Sequence, residues 1–270
     1  MSSFSSQVPF RIGTSSYIIP ADILPNVHYL AGQVRDVELV LFELDDGQSN
    51  LPDNALREKL RQLAADHDTT FTVHLPLDLR LGADGDEQHV SLVKARRVIE
   101  ATQEINPWAY VLHLDGKEFR QGASETDLRR WQDQSVRALE IVAGWAGGFE
   151  RLAVENLDTY PPDFNDPVLE RVPVSRCVDV GHLWKDGHDP LPYLERWLLR
   201  TRVMHIHGIA ERDHKSLAHV PGENLDLVLR YLMQQSYGGV FTMEIFSEED
   251  FHSSLAALQD SFARLAEWSG

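Results

Sequence analysis

Eight short apolar runs alternate with stretches of helical spacing along this chain, and no linker, repeat or low-complexity segment breaks the series. The strand-like runs lie at residues 10–14, 37–42, 70–76, 109–113, 151–156, 177–180, 202–208 and 239–246. Between them the spacing predicts helices over 22–34, 52–67, 89–104, 124–145, 191–199, 223–235 and 248–268, with a short one before the sixth strand. Leu56, Leu60 and Leu63 share one helical face, as do Leu255, Leu258, Phe262 and Leu265. Strand–helix alternation favours parallel strands, because each helix carries the chain back to the end where the last strand began. Eight such units in 270 residues predict an α/β fold, a single-domain (β/α)8 TIM barrel; that fold takes about 250 residues. The barrel is assigned residues 10–270, and residues 1–9 are expected to form a disordered or extended N-terminus.

In such a barrel the interior is packed, and reactive groups belong at the mouth formed by the carboxyl ends of the strands. Here the runs end in Glu43, His74, His113, Glu155, Asp179 with His182, His205, and Glu244. The clearest case is Ser175-Arg-Cys-Val-Asp-Val-Gly-His182, a buried run that ends in a carboxylate, a glycine and an imidazole. Singly, a strand-end histidine is satisfied by a carbonyl, and a strand-end acid caps a helix or meets water. Three carboxylates and several imidazoles in one mouth, without a counter-ion, would cost many kcal/mol. A divalent cluster removes that cost, and imidazole and carboxylate donors suit Zn²⁺, with Mn²⁺ or Fe²⁺ as alternatives.

The number of donors bears on the reaction. Glu155, Asp179, His205 and Glu244 are enough for one ion, and a sugar isomerase or epimerase needs little more, with Glu155 and Glu244 shuttling a proton. His74, His113, His182 and the segment Asp213-His214-Lys215 are then left over. They could hold a second and third ion, with Glu155 bridging. Two or three ions a few Å apart suit phosphoester hydrolysis, because they activate a water and stabilise the attacking and leaving oxygens.

Composition narrows the substrate. The net charge is −17, and Arg and Lys usually sit beside acids, as in Arg57-Glu58-Lys59. A nucleic-acid partner calls for a basic face, so none is expected. No apolar run approaches the ~20 residues of a membrane span, and Met1 to Pro9 lacks the pattern of a secretory signal. The single cysteine, Cys177, reads as core and fits a reducing cytoplasm.

His74 in Val-His-Leu-Pro, His113 in Val-Leu-His, Glu155 in Val-Glu-Asn, Asp179-x-x-His182, His205-x-His207 and Glu244 resemble the xylose isomerase-like barrels. Within them the pattern is similar to the endonuclease IV branch, whose three-metal site uses ligands in this order. One departure stands out: that branch has Asp-x-His after strand seven, whereas here Asp213 and His214 are adjacent and His219 competes for the role. Arg11-Ile-Gly-Thr-Ser-Ser-Tyr-Ile-Ile-Pro-Ala-Asp22, Val37 to Glu43 and Asp213-His-Lys-Ser-Leu217 resemble the cobamide-remodelling phosphodiesterases of the CbiR family. That resemblance implies hydrolysis of the nucleotide loop of adenosylcobamides, giving adenosylcobinamide phosphate and an α-riboside. It implies two or three divalent ions held by His74, His113, Glu155, Asp179, His182, His205, Asp213, His214 and Glu244. Glu155, Glu244 and Lys215 would be catalytic, and Tyr17, Glu43 and Trp184 would meet a small-molecule corrinoid. The alternatives are a one-metal sugar isomerase or epimerase, a repair endonuclease for abasic DNA, and a corrinoid carrier without turnover.

Overall fold

Every one of the eight apolar runs forms a strand, and each strand pairs in parallel with the next. They are β1 (Arg11–Ser15), β2 (Asp36–Val40), β3 (Thr70–His74), β4 (Tyr110–Leu112), β5 (Leu152–Glu155), β6 (Ser175–Asp179), β7 (Thr201–Ile206) and β8 (Val240–Met243). The sheet closes where β1 meets β8, with Ile12 opposite Phe241 and Thr14 opposite Met243. The computed structural model describes residues 8–43 and 49–268. Most of the expected N-terminal leader, residues 1–7, therefore lies outside the described residues.

The helices are α1 (Ile23–Leu30), α2 (Asn54–His67), α3 (Val90–Thr102), α4 (Glu125–Ala146), α5 (Asp166–Leu169), α6 (Val180–Lys185), α7 (Pro190–Trp197), α8 (Gly222–Gln234) and α9 (Glu248–Trp268). Local chemistry marks their ends. Asp53 accepts from the Leu56 N–H to start α2, and Ser124 accepts from the Asp127 N–H to start α4. Gly147, at φ 88°, ends α4 in the left-handed conformation that glycine adopts without strain. No helix among the described residues is long and apolar enough to cross a membrane.

Side chains alternate in and out along each strand, and the two sets build different layers. Outward residues such as Leu39, Leu112, Val154, Val178 and Met204 join the helices in one large core. Inward residues Ala109, Val111, Ala153, Cys177 and Val203 form a small separate plug. The same parity carries on past the plug: two residues beyond Val111, Ala153, Cys177 and Val203 come His113, Glu155, Asp179 and His205. The fold thus aims a polar residue from each of these four strands into the mouth. Cys177 belongs to the plug, and burial pushes its thiol well up.

Two local boundaries differ from the sequence reading. Strand β2 ends at Val40 rather than near Glu43, and α6 begins directly after Asp179. Asp179 caps α6 by accepting from the His182 N–H at 2.7 Å, so Gly181 lies within a helical turn rather than in an open one.

Candidate metal centre

Glu155 is the hub. Its Oε2 lies 3.6 Å from His74 Nε2, 3.2 Å from His113 Nε2 and 3.5 Å from His205 Nδ1. Its Oε1 lies 3.7 Å from His182 Nδ1. His205 Nδ1 is also 3.3 Å from Glu244 Oε2, and His214 Nε2 is 3.2 Å from the same oxygen. Among the described residues four sets of donor atoms, each within 4.8 Å of one another, result: His74–His113–Glu155, Glu155–Asp179–His205–Glu244, Glu155–Cys177–His205 and His182–His207–His214.

Elements far apart in sequence hold these groups in place. His205 Nε2 meets Glu38 Oε2 at 2.9 Å, both wholly buried, which fixes the ring and turns Nδ1 towards the cluster. His113 Nδ1 meets Asp78 Oδ1 at 3.0 Å and His74 Nδ1 meets the Leu75 carbonyl at 2.9 Å. Asn156 locks the end of β5 to that of β6: its Nδ2 donates to the Asp179 carbonyl and its Oδ1 accepts from the Asp179 N–H, each at 2.9 Å.

The electrostatics follow from this crowding. Burial opposes ionisation of Glu155 and Glu244, but the facing imidazoles win and hold both carboxyls well below their usual range. Burial likewise opposes charge on His113 and His214, yet carboxylates raise them, His113 to about 10 and His214 to about 9. Even so the cluster does not satisfy itself. Asp179 Oδ2, His205 Nδ1, His207 Nε2 and Glu244 Oε2 are buried without a hydrogen-bond partner. Each such atom costs about 1–3 kcal/mol. Converging lone pairs of imidazole and carboxylate, oriented by partners on their far sides, are what a divalent cation requires, so the residues fit metal.

The expected site residues fall into two groups. His74, His113, Glu155, Asp179, His182, His205, His214 and Glu244 come together. Asp213 is at the edge, engaged by Lys185, which also binds Asp158. Lys215 turns away to Asp250 at 3.3 Å and Glu211 at 3.6 Å, tying its loop to α9. Glu43 lies outside the cluster, its carboxylate on Arg97 of α3 and its carbonyl on Lys94. Tyr17 packs edge-on against Phe42, 5.4 Å between centroids. Trp184 and His219 line a neighbouring cavity of about 590 Å³. A cavity of about 350 Å³ opens beside the cluster, lined by Lys117, Arg120 and Tyr160 together with His113, Glu155, His182, His214 and Glu244.

Glu38, Asp78, Asn156 and His207 had no assigned role from sequence. His207 had a visible signal, since residues two apart on a strand share a face and His205 already pointed inward. Glu38 carried the same signal on β2, masked by the nearer-to-end Glu43.

Comparison with known proteins agrees with this architecture. A family model described as xylose isomerase-like TIM barrel matches residues 33–268. A D-tagatose 3-epimerase-like protein superposes with a TM-score of 0.75 at 18% identity, covering 97% of this chain and 100% of that one. Endonuclease IV from Thermus thermophilus gives 0.65 at 18% identity, covering 93% and 99%. A D-psicose 3-epimerase gives 0.62 at 15% identity, covering 88% and 85%. At these identities the likeness is one of fold. No curated protein matches the chain in sequence.

Proposed function

The chain belongs to the xylose isomerase-like TIM barrel family, and on that premise we propose that it is a metal-dependent phosphodiesterase that opens the nucleotide loop of cobamides. One observation carries the reading: Glu155 is shared between a His74–His113 set and an Asp179–His205–Glu244 set, more donors than one ion uses. His74, His113 and Glu155 would hold one ion, and Glu155, Asp179, His205 and Glu244 another. When bound, a pair of divalent ions acidifies water and offsets the charge that builds on phosphoryl oxygens.

The chain's own groups supply orientation. Asp78 and Glu38 hold the His113 and His205 rings, so the donor atoms are set before substrate arrives. Lys117 and Arg120 present cations in the same cavity, and Arg120 is steadied over the Tyr160 ring at 5.1 Å. A phosphodiester anion fits between them and the cluster. Hydrolysis adds water across the bond from phosphorus to the riboside oxygen. The new P–O bond leaves phosphate on the cobinamide, and the riboside oxygen leaves with a proton. The narrower choice of a cobamide rests on the resemblance of Arg11 to Asp22, Val37 to Glu43 and Asp213 to Leu217. The net charge of −17 supports a substrate that is not a polyanion.

A second reading has support in the four-donor set itself. Glu155, Asp179, His205 and Glu244 are complete for one ion, as a sugar epimerase would need. Incubation of the metal-loaded protein with adenosylcobalamin, followed by mass analysis, tests the choice. Adenosylcobinamide phosphate and an α-riboside are expected. Epimerised ketoses, or cleaved abasic DNA with cobamides untouched, would move the chain to the other branches.

A further inference from the structure

We infer that His182, His207 and His214 form a metal site of their own, made of three imidazoles, and that Asp213 is not one of its ligands. This rests on the reading of the mouth as a metal centre and adds a ligand, His207, to which the sequence pattern assigned no role.

The three rings are close: centroids are 5.4 Å apart for His182 and His207, 5.8 Å for His182 and His214, and 4.3 Å for His207 and His214. Each Nδ1 has an acceptor in reach. His182 Nδ1 is 3.0 Å from the Asn156 carbonyl, His214 Nδ1 is 3.2 Å from Asp213 Oδ1, and His207 Nδ1 is 3.3 Å from the Gly208 carbonyl. A neutral imidazole that donates from Nδ1 keeps a bare lone pair on Nε2, which is how ligating histidines are oriented. His207 Nε2 is wholly buried with no hydrogen-bond partner.

The backbone makes room for this ring. A Cβ on Gly181 would lie 2.4 Å from His207 Nε2 and 2.5 Å from Cδ2 and Cε1, so the glycine of Asp179-Val-Gly-His182 is needed by a side chain just past the next strand. Asp213 is committed elsewhere, to Lys185 and to His214 Nδ1. Its place is beside a ligand, orienting it. His219 lines the same adjacent cavity as His207 but joins none of the sets of converging donors among the described residues. Glu244 Oε2 lies 3.2 Å from His214 Nε2 and Asp179 Oδ1 3.5 Å from His207 Nε2, but three imidazole donors favour borderline ions such as Zn²⁺ or Co²⁺ over Mn²⁺ or Mg²⁺, whereas the carboxylate-rich set on Glu155 tolerates harder ions.

There is one competing arrangement. In the other tautomer His207 Nδ1 accepts from the His214 N–H at 3.1 Å, and Nε2–H faces Asp179 Oδ1 at 3.5 Å. His207 would then only steady Asp179. Metal counting separates the two without any substrate, so its failure is distinct from a failure to hydrolyse cobamides. The apo chain is saturated with Co²⁺, and bound cobalt is measured by elemental analysis and visible absorption. His207→Gln, which preserves hydrogen bonding at that position, should bind one Co²⁺ fewer than the parent and lose one component of the cobalt spectrum. His214→Gln should do the same, and Asp213→Asn should keep the full count. Loading with Mn²⁺ alone should also give one ion fewer than Co²⁺. An unchanged count and spectrum in His207→Gln, or a lost ion in Asp213→Asn, would overturn the assignment.

Discussion

The barrel buries charge in its outer wall and in its mouth, and treats the two differently. In the wall, Arg176 of β6 is wholly buried and meets Asp166 of α5 at 2.9 Å. Asp166 also takes Arg196 at 2.6 Å, and the Arg176 guanidinium lies 4.1 Å from the Trp197 ring and 5.0 Å from that of Tyr193. Burial pulls Arg176 down to about 10 against the pull of Asp166, so it stays charged. Arg176 Nε, Asp166 Oδ2 and Trp197 Nε1 lack hydrogen-bond partners there too, but each charge faces an opposite fixed charge or an aromatic ring. In the mouth, three carboxylates face imidazoles, yet buried lone pairs of Asp179, His205 and Glu244 remain without partners. A region that pairs carboxylate with guanidinium is structural, and one that converges imidazole and carboxylate donors on a shared point is suited to a cation.

The sharpest way to break the contrast is at its hub. Glu155→Gln should lower phosphodiesterase turnover by about a thousandfold or more, the scale of removing a principal transition-state stabiliser. Its melting temperature should hold, because the residue serves the ligand and not the core. Ordinary turnover in that variant would sink the assignment of Glu155. The wall should behave in the opposite way. Arg176→Ala leaves Asp166 buried with only the half-exposed Arg196, and should cost about 3–5 kcal/mol of stability in urea unfolding. Metal content of the folded fraction should be unchanged.

A third change falls between the regions. Glu38 touches no proposed ion but holds His205. Glu38→Gln should weaken metal binding about 10–100-fold, the usual effect of losing such an orienting partner. Competition with a chromophoric chelator would show it. An unaltered affinity would make the Glu38–His205 contact a matter of core packing alone.

Much of this was legible in the chain. Strand–helix alternation with a polar residue at most strand ends is a local pattern, and it located the eight strands and seven of the clustered donors, His214 coming from the segment after the seventh strand. Less was legible where parity or distant partners decide. Glu43 looked like the end of β2, but the strand stops at Val40 and its inward parity runs through Asp36 and Glu38. The neighbours that draw Lys215 to Asp250 and Asp213 to Lys185 are 35 and 28 positions away. Nothing in either residue's own surroundings in sequence foretells that choice. Gly181 is the subtlest case, since its reason is the ring of His207, just past the end of β7.

Asp36 sharpens the comparison most gently, as a buried carboxylate held by a threonine hydroxyl, with the Arg11 guanidinium the least of the influences on it. It lies two residues before Glu38 on the same inward face, wholly buried, with Thr70 Oγ1 donating to its Oδ2 at 2.6 Å and its Oδ1 unpartnered. Burial raises its pKa to about 7, more than its threonine hydrogen bonds can offset. The third fate of such a group is therefore to take a proton. The sign follows from linkage: below about pH 4 both the folded and unfolded chains hold that proton. As pH rises towards 7 the unfolded chain releases it first, so the folded state loses stability across that window and the loss is complete above it. Asp36→Asn mimics the protonated carboxyl at every pH. Relative to the parent it should gain about 2–3 kcal/mol between pH 5 and pH 8, read from urea midpoints of the metal-free proteins. A difference that stays flat or shrinks over this range would mean that Asp36 is ionised in the folded barrel, and that a cation of the chain or the solvent reaches it.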